Sequence, residues 1–366
     1  MGEHLPVRSS KRSAGAKTGL GQKRENVDAH ASRIAQDTAI LEPMPAVSVL
    51  IPTYQPNPGF LREALESLRK QSLQDWTALI HDDCSEIDLE SMIKPFLADP
   101  RFRFERSACR LGIGGNWNAC VLRSDAPLVA FLFQDDVWNP DYLQSAVEAL
   151  TKHPNAGFVS LDHRYESTEN MATMPLYQAV RTFRKKNIHS GLHRGKELLQ
   201  LWIGHELHPN IVGEPSFVVM RRSVMKQAGA FLTDMPQFLD TEYWLRLLTI
   251  TDWINLDDRE YGMFRVHAGG ASAMNQEAGE GLYDRLRCFE RLIGSLEGES
   301  RSAAAAARNN AVQTMIVKFF DRIGSGKKAS PKGGGTLVKF CLRHPIVIGI
   351  GMYRYFLTGK AAKSTL

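Results

Sequence analysis

Two short apolar runs that each end in adjacent carboxylates constrain the fold of this chain more than any other feature. Trp76 to Ile80 leads into His81-Asp82-Asp83, and Pro127 to Phe133 leads into Gln134-Asp135-Asp136. Ahead of them, Val47-Ser-Val-Leu-Ile-Pro is an apolar run stopped by Pro52, and Leu61, Leu65 and Leu68 follow at helical spacing. Phe102 to Phe104 adds a further short strand. Strands that alternate with helices predict a mostly parallel, doubly wound α/β sheet. Ligands bind such sheets outside the carboxyl ends of the strands, where both acid pairs fall. Asp and Ser also favour turns and caps, which would explain one pair taken singly. Two pairs at two strand ends point to a site.

The flanks read differently. Residues 1 to 44 are rich in Ser, Ala, Gly, Lys and Arg without helical or strand periodicity, a basic tail expected to be disordered. The catalytic domain is expected over 45–298. Within it, a helix opens at Asp240 and another runs from Leu282 to Leu296. An amphipathic helix follows over 299–323, with Val312, Ile316, Phe319 and Ile323 in one stripe. Then come a Gly/Ser/Lys linker over 324–335 and a basic apolar tail over 336–366. From Glu299 onward there are twelve Lys or Arg against two acids, whereas the whole chain carries only +5, so the remainder is net acidic. A basic tail on an acidic body argues against nucleic acid as a partner. It suits a helix lying flat on an anionic membrane surface, with Leu337, Phe340, Ile346, Ile348, Tyr353 and Phe356 beside Lys339, Arg343 and Arg354. The uncharged run Pro345 to Tyr353 is far short of the ~20 residues that cross a bilayer. Five cysteines without a C-x-x-C pair, and no apolar run behind the basic start, lead us to expect a cytoplasmic protein, peripheral at the inner face of the membrane if the tail binds there.

The acids suggest a chemistry. Gln134-Asp135-Asp136 offers hard oxygens of the kind that Mg²⁺ or Mn²⁺ prefer, and such a site needs one or two carboxylates besides phosphate oxygens and water. Asp136 is assigned to the metal and Asp135 to the ribose or the metal shell. Asp240 is the candidate base, against the plainer reading of a helix cap, with Glu242 and Arg246 as a surface i,i+4 pair. Gly112-Ile-Gly-Gly-Asn116-Trp117 lacks the third glycine of a dinucleotide fingerprint at Trp117. His205-Glu-Leu-His208 lacks zinc-protease spacing.

Val47-Ser-Val-Leu-Ile-Pro52-Thr53-Tyr54, Asp82-Asp83-Cys84-Ser85, Gln134-Asp135-Asp136 and Asp240-Thr-Glu-Tyr-Trp244-Leu-Arg246, in this order and spacing, resemble glycosyltransferase family 2 over about Ala46 to Ser272. The resemblance implies a GT-A fold with C-terminal helices, and an inverting transfer of a sugar from a nucleotide-sugar donor, expected to be a UDP-sugar, to a saccharide or lipid-linked saccharide. It implies that Pro52, Thr53, Tyr54, Asp83 and Asn116 line the nucleotide and donor. Asp135 and Asp136 would form the metal site for Mn²⁺ or Mg²⁺ with His267 near it, and Asp240 would be the base. Cys84 stands where the family often has glycine, which narrows the freedom of that turn. A nucleotidyltransferase would want a Gly- and Lys-rich phosphate loop, and Gln55-Pro56-Asn57-Pro58 follows Thr53 instead. A catalytically inactive binding module would not need intact Asp136 and Asp240.

Overall fold

The computed structural model describes residues 45–167, 174–278, 281, 283–326 and 338–358. The tail over 1–44, the linker over 327–337 and the end beyond 358 lie outside the described residues.

The chain opens with β1 (Val47–Thr53), all seven residues of which are buried, as a strand covered on both faces of a parallel sheet requires. α1 (Pro58–Arg69) follows. Asn57 caps it by accepting from Gly59 and Phe60 backbone N–H groups, and Pro58 supplies a first-turn residue with no N–H to satisfy. Its predicted stripe of Leu61, Leu65 and Leu68 is buried against the sheet, each side chain contributing about 1.5–3 kcal/mol. The pattern continues through β2 (Trp76–Asp82), α2 (Leu89–Leu97), β3 (Phe102–Arg106), α3 (Gly112–Leu122) and β4 (Leu128–Phe131). α3 lies so near the 232–233 backbone that a Cβ on Gly114 would stand 2.4 Å from the Leu232 carbonyl oxygen. Only a glycine permits that approach.

Beyond β4 come β5 (Val137–Trp138), α4 (Tyr142–Lys152), β6 (Ala156–Leu161), β7 (Arg164–Glu166), α5 (Met174–Asn187), β8 (Gly191–His193), α6 (Gly195–Gly204), β9 (Val218–Arg221) and α7 (Arg222–Ala228). Then follow α8 (Leu239–Ile250), β10 (Asp252–Leu256), β11 (Gly262–Arg265) and α9 (Ala271–Ala278). The main sheet has the order β3-β2-β1-β4-β9-β6-β10-β8. β3, β2, β1 and β4 are parallel, as are β6 and β10, whereas β9 runs antiparallel to both β4 and β6. A small second sheet, β5-β11-β7, stands beyond β4 and carries Arg265 at its end.

The chain ends in α10 (Asp284–Ser295), α11 (Gly298–Gly324), a short helical stretch over 338–343 and α12 (Pro345–Thr358). These helices share cores with the sheet domain. Ala304, Ala307 and Ala311 of α11 join the cluster around Trp202 and Trp244, and Val312, Met315 and Ile316 pack with Tyr283, Leu286 and Phe340. The C-terminal segment expected to suit a membrane surface thus also packs in part on the protein itself. One side of α12 is covered, with Tyr355 stacked on Phe320 at 5.3 Å and Gly351 against Ile316.

Candidate active site

The site is built at the carboxyl ends of β1, β2 and β4, and many of its polar groups are turned inward to hold those ends together. Asn116, from the buried side of α3, meets His81 Nδ1 at 2.6 Å and donates to the backbone oxygens of Thr53 and His81. The Thr53 hydroxyl donates to the His81 carbonyl at 3.2 Å, and Thr53 is fully buried. Asp83 is 2 % exposed and accepts from the Leu111 and Gly112 N–H groups, which locks the start of α3 to the end of β2. Burial pushes the Asp83 carboxyl up, against those hydrogen bonds and Arg110. Asn116, Thr53 and Asp83, expected to line the donor, thus have their side chains engaged with the protein itself. Pro52 is buried within β1. Tyr54 is half-buried, its backbone clamped by both ends of the Gln134 amide and its ring covered by Arg110 at 4.2 Å. Cys84 has φ 61°, the left-handed region that glycine adopts freely, so the substitution places a strained residue in this turn.

The two acids after β4 face different ways. Asp136 is fully buried and accepts from the Arg265 N–H at 3.1 Å, pinning the end of β11, while its second oxygen lacks a hydrogen-bond partner. Burial, then the adjacent Asp135 charge, pushes the Asp136 carboxyl well up. Asp135 is the open member of the pair. Its side chain is 21 % exposed, and its carboxylate lies 2.9 Å from His267 Nε2. Arg265 bonds the Asp135 carbonyl and pairs with Glu63, and Phe60 covers both Arg265 and the His267 ring.

Asp240 lies in the first turn of α8, where Phe238 rather than Asp240 is the N-cap residue. Its carboxylate accepts from Asn210 Nδ2 at 2.8 Å and from the Thr241 N–H at 2.7 Å. Asn210 is in turn fixed by two hydrogen bonds to Gly213, whose carbonyl also accepts from Trp244 Nε1. Burial, with the charge of Glu214 also raising it, pushes the Asp240 carboxyl up to about 7. Glu214 also raises Asp136, so the loop before β9 bears electrostatically on both acid centres. Burial raises Glu214 itself, but His163 at 2.9 Å and Tyr165 outweigh it and hold the carboxyl below its ordinary value. Asn210, Glu214 and His163 carry no motif of their own in the sequence. Glu242 is corrected from a surface pair to a buried carboxylate held by Arg246 and Arg291, both at 2.8 Å.

Among the described residues there is no cluster of three or more acidic, histidine or cysteine side chains able to hold a metal ion. The residues present still fit a divalent cation. Asp135 and His267 offer an oxygen and a nitrogen already at mutual contact distance, beside an orphaned Asp136 oxygen, and diphosphate oxygens and water would complete the shell. In that arrangement Asp135, not Asp136, is the carboxylate open to the ion.

Residues 48–226 match the profile of Glycosyl transferase family 2. An uncharacterised protein of Mycobacterium tuberculosis is 31 % identical over 277 residues, 75 % of this chain and 84 % of that protein. The succinoglycan biosynthesis protein ExoW of Rhizobium meliloti is 35 % identical over 114 residues, 30 % of this chain and 35 % of that protein. Among solved structures, S. aureus TarS 1-349 in complex with UDP-GlcNAc superposes with a TM-score of 0.55 at 15 % identity, covering 83 % of this chain and 79 % of that one. The mannosyltransferase PcManGT of Pyrobaculum calidifontis, in complex with GDP-Man and Mn²⁺, gives 0.52 at 15 % identity, covering 93 % and 95 %. The structural likenesses give the fold, GT-A, and the sequence matches give the kinship: this chain is a member of glycosyltransferase family 2.

Proposed function

We propose that this chain is an inverting glycosyltransferase that moves a sugar from a nucleoside-diphosphate sugar to an acceptor hydroxyl. The observation that carries the reading is the pairing of an open Asp135–His267 contact with an Asp240 carboxyl tuned to about 7. Mn²⁺ or Mg²⁺, held by Asp135 and His267, would neutralise the diphosphate as it leaves. The buried Asp136 sets the position of Arg265, and with it the strand that delivers His267. Asp240 takes the acceptor proton as the hydroxyl oxygen attacks the anomeric carbon and the bond to the diphosphate breaks on the opposite face. A base near neutrality suits that task, because it is ionised at working pH and still holds a proton well. Nucleotide sugars in the two structural neighbours support the donor class, with UDP-sugars and GDP-sugars both candidates. The biosynthetic role named for ExoW supports polysaccharide assembly as the setting.

The raised carboxyl gives a test. The base is active only when deprotonated, so kcat should fall about tenfold per pH unit below roughly pH 7 and level off above it. A rate unchanged between about pH 5.5 and 8 would contradict the assignment of Asp240.

For the C-terminal helices we propose a peripheral seat on an anionic membrane. With one side of α12 packed on α11, Leu342, Ile346, Tyr353 and Leu357 remain 65–78 % exposed near Lys339 and Arg343, a composition suited to the headgroup boundary. No described helix is long and apolar enough to cross a bilayer. The full chain should pellet with anionic vesicles, and Leu342→Asp with Ile346→Asp should release it while leaving transfer to a water-soluble acceptor intact. Equal pelleting of the double variant would rule this seat out.

A further inference from the structure

The Asp240 carboxylate is anchored at both oxygens. One accepts from the Thr241 N–H of its own helical turn at 2.7 Å, and the other from Asn210 Nδ2 at 2.8 Å. The first bond alone leaves the carboxylate plane free to turn about its side-chain bonds. The second comes from 30 positions away, in the loop ahead of β9, and fixes that plane. A carboxylate has about four lone-pair sites, so two such bonds leave sites free for a proton.

Asn210 is itself held so that its nitrogen is the end it must present. Its Oδ1 accepts from the Gly213 N–H at 3.1 Å, and its Nδ2 donates to the Gly213 carbonyl at 3.1 Å as well as to Asp240. A reversed amide would set its oxygen against a carbonyl and a carboxylate, and its nitrogen against an N–H. Gly213 has φ 107°, which lets its N–H and C=O face one side chain and which a residue with a Cβ rarely adopts. The loop hangs from two fully buried indoles. Trp202 Nε1 donates to the Pro209 carbonyl at 2.7 Å and Trp244 Nε1 to that of Gly213 at 3.0 Å, and Ile211 and Val212 lie buried in the same loop. The amide thus meets Asp240 already ordered, with no rotamer left to fix when substrate binds.

We propose that Asn210 is a positioning residue of the transfer, holding the Asp240 carboxylate in the plane from which it takes the acceptor proton and favouring its ionised form. The assignment rests on the reading of Asp240 as the base. A neutral amide suits the task. It stabilises the carboxylate by a hydrogen bond, whereas an arginine in its place would add a charge that keeps the carboxylate from holding a proton at all near neutrality.

The titratable groups that bear on Asp240 from neighbouring elements are Glu214 before β9, which is paired with His163, Tyr177 on α5 and Cys288 on α10. Glu214 stays ionised, because His163 and Tyr165 outweigh its burial, and burial keeps Tyr177 and Cys288 neutral. A change in the titration of Asp240 on replacing Asn210 therefore reports on the Asn210 contact.

Carboxyl ¹³C NMR of the full chain between about pH 4 and 9 follows Asp240 without donor or acceptor, its signal assigned by its loss in Asp240→Asn. Asn210→Ala removes a bond to the charged form and should move the midpoint up from about 7. Asn210→Asp keeps an acceptor for the Gly213 N–H but sets a second carboxyl beside Asp240, and should move the midpoint further, by about one unit or more. Turnover is read as nucleoside diphosphate released with water as acceptor, from the nucleotide sugar that stabilises the chain most in Mn²⁺. Asn210→Ala should lower it about 10–100-fold with donor affinity unchanged, as a small misplacement of a reacting group does, and should add nothing to the loss in Asp240→Asn. A midpoint unmoved in both Asn210 variants, or losses from the two sites that simply multiply, would overturn the proposal. Should Asn210→Ala fail to fold, Asn210→Asp decides on its midpoint and turnover. Wild-type turnover in Asp240→Asn would instead remove the base reading, and this assignment with it, whether or not the midpoint moves.

Discussion

Asp135→Ala should abolish both transfer and cation-dependent donor binding, the largest effect expected of any single substitution in this chain. Removing the cation that neutralises a departing diphosphate forfeits several kcal/mol of transition-state stabilisation, and each 1.4 kcal/mol is about a factor of ten. His267 would remain but cannot hold a hard cation alone. The neighbouring acid should behave differently. Asp136 is buried, its carboxyl is pushed well up and one oxygen is spent on the Arg265 N–H. Asp136→Asn keeps that acceptor and should retain cation-dependent donor binding, whereas Asp135→Asn should lose it. Donor titration of the three variants with and without Mn²⁺ checks the division of labour. If Asp136→Asn loses binding while Asp135→Asn keeps it, the two roles are reversed.

Asp240→Asn should leave donor affinity near wild type and reduce kcat by roughly 10²–10⁴, the usual contribution of a positioned general base. The residual rate should also lose its fall below pH 7, because the group that titrates there is gone. Turnover against pH, alongside donor affinity by calorimetry, reads both effects. A collapse of donor affinity in step with turnover would make Asp240 a binding or structural residue.

Much of this site was legible in the sequence because strand ends and acids coincide. The runs ending at Asp82-Asp83 and Asp135-Asp136 are the two strands that flank β1 in the parallel half of the main sheet, and the helix expected to open at Asp240 begins at Leu239. Which of two neighbouring acids faces outward was not legible. Side chains alternate along a strand, but Asp135 and Asp136 lie past the end of β4, where a turn sets their directions and a long-range bond to Arg265 decides the burial of Asp136. The same limit hid the inward turn of Thr53, Asp83 and Asn116, since their partners are residues 28 to 63 positions away. β5, β7 and β11 span only two to four residues each, too short for periodicity to register, so the small sheet that delivers His267 was invisible. Glu242 looked like a surface i,i+4 partner of Arg246, because nothing local announces the second arginine, Arg291, that closes over it from α10.

The central claim is that the open pair Asp135–His267 recruits a divalent cation to hold a nucleotide-sugar diphosphate. The most direct measurement is thermal unfolding of the full chain with a series of UDP-, GDP- and dTDP-sugars, in Mn²⁺ and in EDTA. A donor at about a hundred times its Kd should contribute about 2.7 kcal/mol, a shift of several degrees. The account predicts such a shift for at least one donor in Mn²⁺, with none in EDTA and none in Asp135→Ala. Equal stabilisation in EDTA, or a full shift retained by Asp135→Ala, would contradict it.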